Sequence, residues 1–429
     1  MLDLRRIRTA PEEVRAGLLK KGDAAHLDRL LDLDARRRES LRELEGGRAE
    51  RNAASRRIAE LLRGGDAAGA ERRKAEMRTL GQRLAELERN VDAWSGEIES
   101  LLLEIPNVPH ESVPVGPDAS ANVVVRTWGE VRDPGFAVRP HWEIGPELGV
   151  VDFERGAKVA GSGFVVFAGI GARLERALIT MMIEMHAAAG YVEVSPPFLA
   201  NRRTMRGSGQ LPKMEPDMYR VESEDLFLVP TAEVPVTGLH QDEILDEASL
   251  PRRYVAYTPC FRLEAGAHGR ETRGLVRVHQ FDKVELVKFV TPETSYDELE
   301  SLVASAEGVL QALELPYRVV LLSSGDTSFA SAKTYDLEVW APGVARWLEV
   351  SSCSNFEDFQ ARRSGVRFRR AAGDVAFLHT LNGSGLALPR TVVALLENGL
   401  RADGSVVLPA ALRPYLGGLE RIGPAPAAG

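Results

Sequence analysis

From Met77 to Ile105 the apolar residues Met77, Leu80, Leu84, Leu87, Val91, Trp94, Ile98, Leu101 and Ile105 follow one another at steps of three or four. A helix that lays one narrow apolar stripe against another helix accounts for that spacing. The residues before it, from about 27, are also rich in Arg, Glu, Ala and Leu and almost free of strand formers. There Leu27, Leu30, Leu41, Leu44, Ile58 and Leu62 hold the phase, while Arg48, Arg51 and Ser55 fall where the seam wants apolar side chains. Arg63-Gly64-Gly65-Asp66 divides the halves with a helix stop and a turn. The expected structure is an antiparallel helical hairpin projecting about 50 Å, at about 1.5 Å rise per residue. Arg56, Arg57, Arg63, Arg72, Arg73 and Lys74 gather near its tip, where they could meet phosphates. A dimerisation coiled coil or a spacer would show the same heptads.

A chain of 429 residues is long for one domain. Its net charge of −8 argues against a general polyanion binder, so any RNA contact needs a local basic patch. Cys260 and Cys353 are far apart and form no CxxC pair, so neither a disulfide framework nor a zinc site is expected. The opening MLDLRRIRTAPEEV lacks the apolar core of a leader, and no run reaches transmembrane length. A cytoplasmic protein without a membrane partner is expected.

Residues 105–123, IPNVPHESVPVGPDASANV, are rich in Pro and Gly and read as a linker with no helix or strand of its own. Beyond them the texture changes. Short β-type runs (VVVRTW, FVVFAG, YVEV, LFLVP, RYVAYTPCF, KVELVKFV, YRVVLL, YDLEVW, WLEVSS) alternate with helical patterns at 172–189, 293–313 and 390–399. Paired strands joined by short turns point to an α+β fold, an antiparallel sheet flanked by helices. The expected organisation is 1–104 as an N-terminal domain with the coiled-coil arm (about 27–104), 105–123 as linker, 124–422 as the main domain and 423–429 as a disordered tail.

No P-loop is present, and no glycine fingerprint follows a strand in a βαβ context, so a nucleotide would need another kind of site. Polar residues inside β-type runs are the candidates, because burying them without partners costs free energy. In FRLEAGAHGRETRGLVRVHQFDKVEL (261–286), Arg262 and Glu264 alternate on one strand, and Arg277 and His279 on its return. An arginine fork suits a phosphate or carboxylate, and Glu285 suits an ammonium group. A solvent-facing ladder of cross-strand salt bridges would look the same. In WLEVSSCSNFEDFQARR (347–363), Glu349 and Ser351 alternate and Ser352 follows, a set suited to Mg²⁺ that keeps several waters. A strand running into a helix cap at Ser354 or Asn355 fits the same residues. In HTLNGSGLALPRTVVALLEN (379–398), a Gly-Ser-Gly turn leads into a helix with Arg390 near its start, a place that attracts anions. In LFLVPTAEVPV (226–236), Thr231 and Glu233 break an apolar run, which suits a small polar substrate. GYVEVSPPFLA (190–200) reads as core structure, with a dimer edge as an added role.

In chain order these segments resemble the three signature motifs of the class II aminoacyl-tRNA synthetases, and those of the serine-specific branch most of all. The helix at 172–189 with GYVEVSPPF resembles motif 1, the dimer-forming element. PCFRLEAGAHGRETRGLVRVHQFDKVEL resembles motif 2, and LNGSGLALPRTVVALLEN resembles motif 3. PTAEVPV, KTYDLEVW and EVSSCSNFEDFQARR resemble stretches of the serine enzymes. The resemblance implies ATP-dependent activation of L-serine to seryl-adenylate with release of pyrophosphate. Serine then passes to the 3′ end of tRNA(Ser), with tRNA(Sec) an open second acceptor. The implied serine site is Thr231, Ala232, Glu233, Arg262, Glu285, Asn382 and Ser384. The implied ATP site is Arg262, Leu263, Glu264, Arg277, Val278, Phe281, Glu349, Val350, Ser351, Ser352 and Arg390. Arg262, Glu349 and Arg390 would be catalytic, and Glu349 and Ser352 would hold Mg²⁺ with the ATP phosphates; no zinc is implied. The arm would bind tRNA, and motif 1 would form a homodimer.

Two other readings share the catalytic fold. An amino acid:carrier-protein ligase would lack the arm, which this chain has. A non-catalytic paralogue would have lost Arg262, Glu349 or Arg390, and all three are present.

Overall fold

The computed structural model describes residues 1–265 and 273–423. The expected tail at 423–429, apart from Gly423, and residues 266–272 of the segment that resembles motif 2 lie outside the described residues. The chain forms two compact units, one of residues 3–15 and 23–105, the other of 1–2, 16–22 and 106 onward.

Four helices open the chain: α1 (Leu4–Thr9), α2 (Pro11–Lys20), α3 (Leu27–Arg63) and α4 (Ala67–Glu104). The last two form the expected hairpin. Gly65 supplies the positive φ of the turn, 82°, and Asp66 caps α4 by accepting from the Gly69 amide at 2.8 Å. α4 buries Leu84, Leu87 and Ile98 on the expected stripe. α3 corrects the expected phase. Leu41 and Leu62 are exposed, and the buried positions are Leu27, Leu30, Leu33, Asp34, Ser40, Leu44 and Ala54. Small residues are what the closest approach demands: a Cβ on Gly47 would lie 2.5 Å from Leu84 Cδ2. Arg48 flanks this seam and reaches Glu88 across the hairpin at 2.8 Å, as Arg83 reaches Glu43 at 3.1 Å.

At the other end of the hairpin, buried Asp34 gathers Arg8, Arg37 and Arg38. Burial works to raise its pKa, but the guanidiniums win and hold it below the usual carboxylate range. At the tip, Arg57, Arg73 and Lys74 pair with Glu60, Glu76 and Glu71. Exposed pairs of this kind contribute only about 0.2–1 kcal/mol, so a polyanion can displace them.

The second unit is built on an eight-stranded sheet. Its strands are β1 (Val123–Trp128), β2 (Val192–Glu193), β3 (Arg252–Phe261), β4 (Gln280–Val290), β5 (Tyr317–Leu321), β6 (Lys333–Ala341), β7 (Arg346–Asn355) and β8 (His379–Ala387), in the order β1-β5-β6-β7-β8-β4-β3-β2. All neighbours are antiparallel except β2 and β3. This is the α+β architecture expected from the sequence. Five helices of this unit matter below: α5 (Ile170–Ala188), α6 (Glu233–Thr237), α7 (Ser295–Ala312), α8 (Phe359–Ser364) and α9 (Leu388–Gly399). Leu178 and Met182 of α5, Leu299 and Leu310 of α7, and Val392 and Leu396 of α9 share one core with Leu286, Leu337, Val350 and Leu381 of the sheet. Each side chain so buried stabilises the fold by roughly 1.5–3 kcal/mol.

Four local expectations change. Gly-Ser-Gly is not a turn but the interior of β8, where a Cβ on Gly383 would lie 2.6 Å from Cys353 Sγ. The apolar run at 226–236 is a strand only to Leu228, and Glu233 opens α6. Arg262, Glu264, Arg277 and His279 lie just beyond the ends of β3 and β4 rather than on them. The stretch read as a linker carries a one-turn 3-10 helix, Ala119–Ala121. It is also packed down: Asn107 is buried and donates to the carbonyls of Ala330 and Phe356 at 3.0 and 2.9 Å.

Candidate active site

Phe281, Lys283 and Glu285 stand two residues apart on β4 and face one cavity of about 650 Å³. Thr231 and Glu233 reach the same cavity from the start of α6, Asn382 and Ser384 from β8, Glu349 and Ser352 from β7, and Arg390 from the first turn of α9. Arg262, Glu264, Arg277 and Val278 line it from the segments that join β3 to β4. Five separated stretches of sequence therefore meet in one place. Of the residues the resemblance implied, Ala232, Leu263, Val350 and Ser351 are not among the lining side chains.

The reason for the last two is a bulge. Across β6 and β7, Leu337 faces Ser351 and Glu338 faces Glu349, so Val350 is skipped. Strict alternation would put Glu349 and Ser351 on one face. The extra residue resets the phase, which turns Glu349 and Ser352 to the cavity. Ser351 instead donates to the Ser384 carbonyl at 2.6 Å and fixes β7 against β8.

Two arginines dominate the electrostatics. Arg390 donates to Glu349 Oε2 at 3.0 Å, and the Arg262 guanidinium lies 5.1 Å from the centre of the Phe281 ring. Burial works to raise the Glu349 pKa, but Arg390 and Arg262 outweigh it and keep the group below the ordinary carboxylate range. The Glu349 side chain is still 43 % exposed, so it opens on the cavity. Glu264 and Arg277 are paired with each other. Ala265 N donates to Asp217 Oδ1 at 2.9 Å, which pins the turn after Glu264.

A second group is more deeply buried. Lys283 Nζ lies 2.6 Å from Glu285 Oε2, and Ser384 Oγ donates to the same oxygen at 3.3 Å. Gln360 Nε2 donates to Glu233 Oε1 at 2.7 Å. Burial first, and the nearby Glu285 second, push the Glu233 carboxyl up to about 7. Sequence reasoning missed Lys283 and Gln360. Lys283 was findable, because it alternates with Phe281 and Glu285; Gln360 sits on a separate helix, and no periodicity points to it.

The donor set suits a hard cation. Glu349 and Ser352 offer oxygens to the cavity, and Asp336, opposite Ser352 on β6, has one buried carboxylate oxygen without a hydrogen-bond partner among the described residues. Burial and the Glu349 charge push the Asp336 pKa well up. Among the described residues no cluster of three or more His, Cys, Asp or Glu could hold a metal unaided. The set fits Mg²⁺ that keeps waters and takes ligands from a nucleotide.

The chain is similar to known proteins along its whole length. The family model "Seryl-tRNA synthetase N-terminal domain" matches residues 1–109, and "tRNA synthetase class II core domain (G, H, P, S and T)" matches residues 219–399. The serine–tRNA ligase of Pelotomaculum thermopropionicum is 55 % identical over 99 % of this chain and 100 % of its own. That of Thermomicrobium roseum is 56 % identical over 100 % of this chain and 96 % of its own. The crystal structure of seryl-tRNA synthetase from Pyrococcus horikoshii complexed with ATP superposes with a TM-score of 0.95 at 37 % identity, covering 99 % of this chain and 100 % of that one. Matched from end to end in sequence and in fold, the chain belongs to the seryl-tRNA synthetase family.

Proposed function

We propose that the cavity on β4 carries both steps by which this chain activates serine with ATP and transfers it to tRNA. The observation that supports the reading most is the convergence there of Arg262, Glu349 and Arg390 with the buried group of Thr231, Glu233, Glu285, Asn382 and Ser384. Thr231, Glu233 and Glu285 receive serine, with Glu285 at its ammonium group, and Asn382 and Ser384 line the space for its hydroxyl. Arg262 bridges the serine carboxylate and the α-phosphate. Phe281 stacks on adenine, Glu264 and the Val278 backbone read its edge, and Arg390 clamps the γ-phosphate.

A serine carboxylate oxygen attacks the α-phosphorus in line. The new O–P bond forms as the bond to pyrophosphate breaks, and pyrophosphate leaves with that electron pair. No general base is needed, because a carboxylate is already deprotonated. The residues position the reactants and offset charge. Glu349 and Ser352 would hold Mg²⁺, which supplies charge neutralisation on the phosphates when bound. The tRNA 3′-terminal hydroxyl then attacks the serine carbonyl carbon, and AMP leaves. A pocket of buried polar groups disfavours alanine, which would leave them unpaired.

The wider assignment follows the same lines. Residues 1–104 form the tRNA-binding module, with the hairpin as the lever and its tip cations at the phosphates. Residues 124–422 form the catalytic domain. A second copy docks along α5 and β2, which is supported by an edge strand with Val192, Phe198 and Leu199 exposed beside it. Action in the cytoplasm is part of the same proposal. No described helix is long and apolar enough to cross a membrane.

The test is a split of Michaelis constants in ATP–pyrophosphate exchange. Glu285→Gln is expected to raise the serine KM and spare that of ATP, and Phe281→Ala the reverse. Equal effects of each variant on both substrates would count against the assignment.

A further inference from the structure

Gln360 does not line the cavity, yet its side-chain amide bonds two residues that do, Ser208 and Glu233. It is fully buried on the first turn of α8. Its Nε2 donates to the Ser208 carbonyl at 2.9 Å and to Glu233 Oε1 at 2.7 Å, and its Oε1 accepts from Thr380 Oγ1 at 2.6 Å. A carbonyl can only accept, so Ser208 fixes which way the amide points. Gln360 must therefore present N–H, not oxygen, to Glu233. Ser208 itself lines the cavity, and Thr380 stands two residues before Asn382 on β8.

We infer that Gln360 is a positioning residue for serine recognition: it occupies Glu233 Oε1 and so leaves Oε2 as the oxygen that accepts from the substrate. This rests on the assignment of Glu233 to the serine site. Glu285 and Lys283 face Glu233 from β4, Asn382 from β8 and Gln360 from α8. Burial and Glu285 favour its protonated form, whereas Lys283, Gln360 and Asn382 favour the carboxylate. Removing the Gln360 donor thus shifts Glu233 further toward protonation.

The experiment is ATP–pyrophosphate exchange by the full chain from about pH 6 to about pH 9, with serine and ATP varied separately. Gln360→Met is expected to lower kcat/KM for serine about 10- to 100-fold, to leave the ATP KM unchanged, and to move the acidic limb of the serine profile to higher pH. Gln360→Asn keeps the amide but shortens its reach, and serves the same comparison if the Met variant does not fold. A fall in serine and ATP parameters together, with the limb in place, would mark Gln360 as structural only and overturn the inference. Glu233→Gln separates the two levels. If that variant leaves the serine KM unchanged, the serine-site assignment of Glu233 fails. If it raises the serine KM while the Gln360 variants do not, only the role of Gln360 fails.

Discussion

Arg390 Nη1 is bonded twice to Glu349, to its carbonyl at 2.8 Å and to Oε2 at 3.0 Å, while Arg390 Nε donates to the Val276 carbonyl at 3.1 Å. One guanidinium thus joins α9, β7 and the segment before β4. It also keeps Glu349 ionised against the effect of burial. Arg390→Ala removes a charge from the phosphate path and leaves Glu349 without this partner. The expected loss in serine-dependent pyrophosphate exchange is about 100-fold or more. Arg390→Lys keeps the charge but not the fork, and is expected to lose about 10-fold. Normal exchange by Arg390→Ala would remove the residue from the site.

Deleting residues 35–97 across the hairpin separates the two activities. Adenylate formation, followed as pyrophosphate exchange, is expected to persist, and charging of tRNA to disappear. Loss of both would contradict an activation site independent of the arm.

Gly47 and Leu84 make the arm a packing test. A Cβ added at Gly47 would lie 2.5 Å from Leu84 Cδ2, so Gly47→Val overpacks the seam. The expected cost is about 1–3 kcal/mol, read as faster amide exchange in α3 and α4. Pyrophosphate exchange should be untouched, and unchanged protection would show that the helices do not approach so closely.

Glu233 gives a pH signature in the substrate-free protein. Burial and then Glu285 raise its folded pKa from the ordinary value of 4.5 to about 7. The folded protein therefore binds this proton more tightly than the unfolded chain. The stabilisation is fully present below the unfolded pKa and is lost as pH rises through about 7. Relative to Glu233→Gln, the wild type is expected to lose about 2 to 3 kcal/mol of stability between about pH 5 and about pH 8, read by denaturant unfolding. A constant difference across that range would contradict the raised pKa.

The sequence revealed the large elements and obscured local phase. The hairpin turn, the sheet and the α5, α7 and α9 helices were legible because their periods repeat over many residues. The seam of α3 escapes apolar periodicity because Ser40, Gly47 and Ala54 serve close approach rather than apolar bulk. Alternation alone places Ser351 on the face of Glu349, because a bulge at Val350 leaves no mark in the sequence pattern. Gly-Ser-Gly looked like a turn because glycines chosen for contact with Cys353 and His186 resemble glycines chosen for φ. Gln360 is set by tertiary contact alone, which no local pattern carries.

Amino-acid-dependent ATP–pyrophosphate exchange with serine, glycine, alanine, threonine and cysteine tests the central claim most directly. Strong exchange with serine alone is the expected result. Exchange with glycine or alanine would contradict it and point to a carrier-protein ligase, and no exchange with any of the five would contradict catalysis at this site.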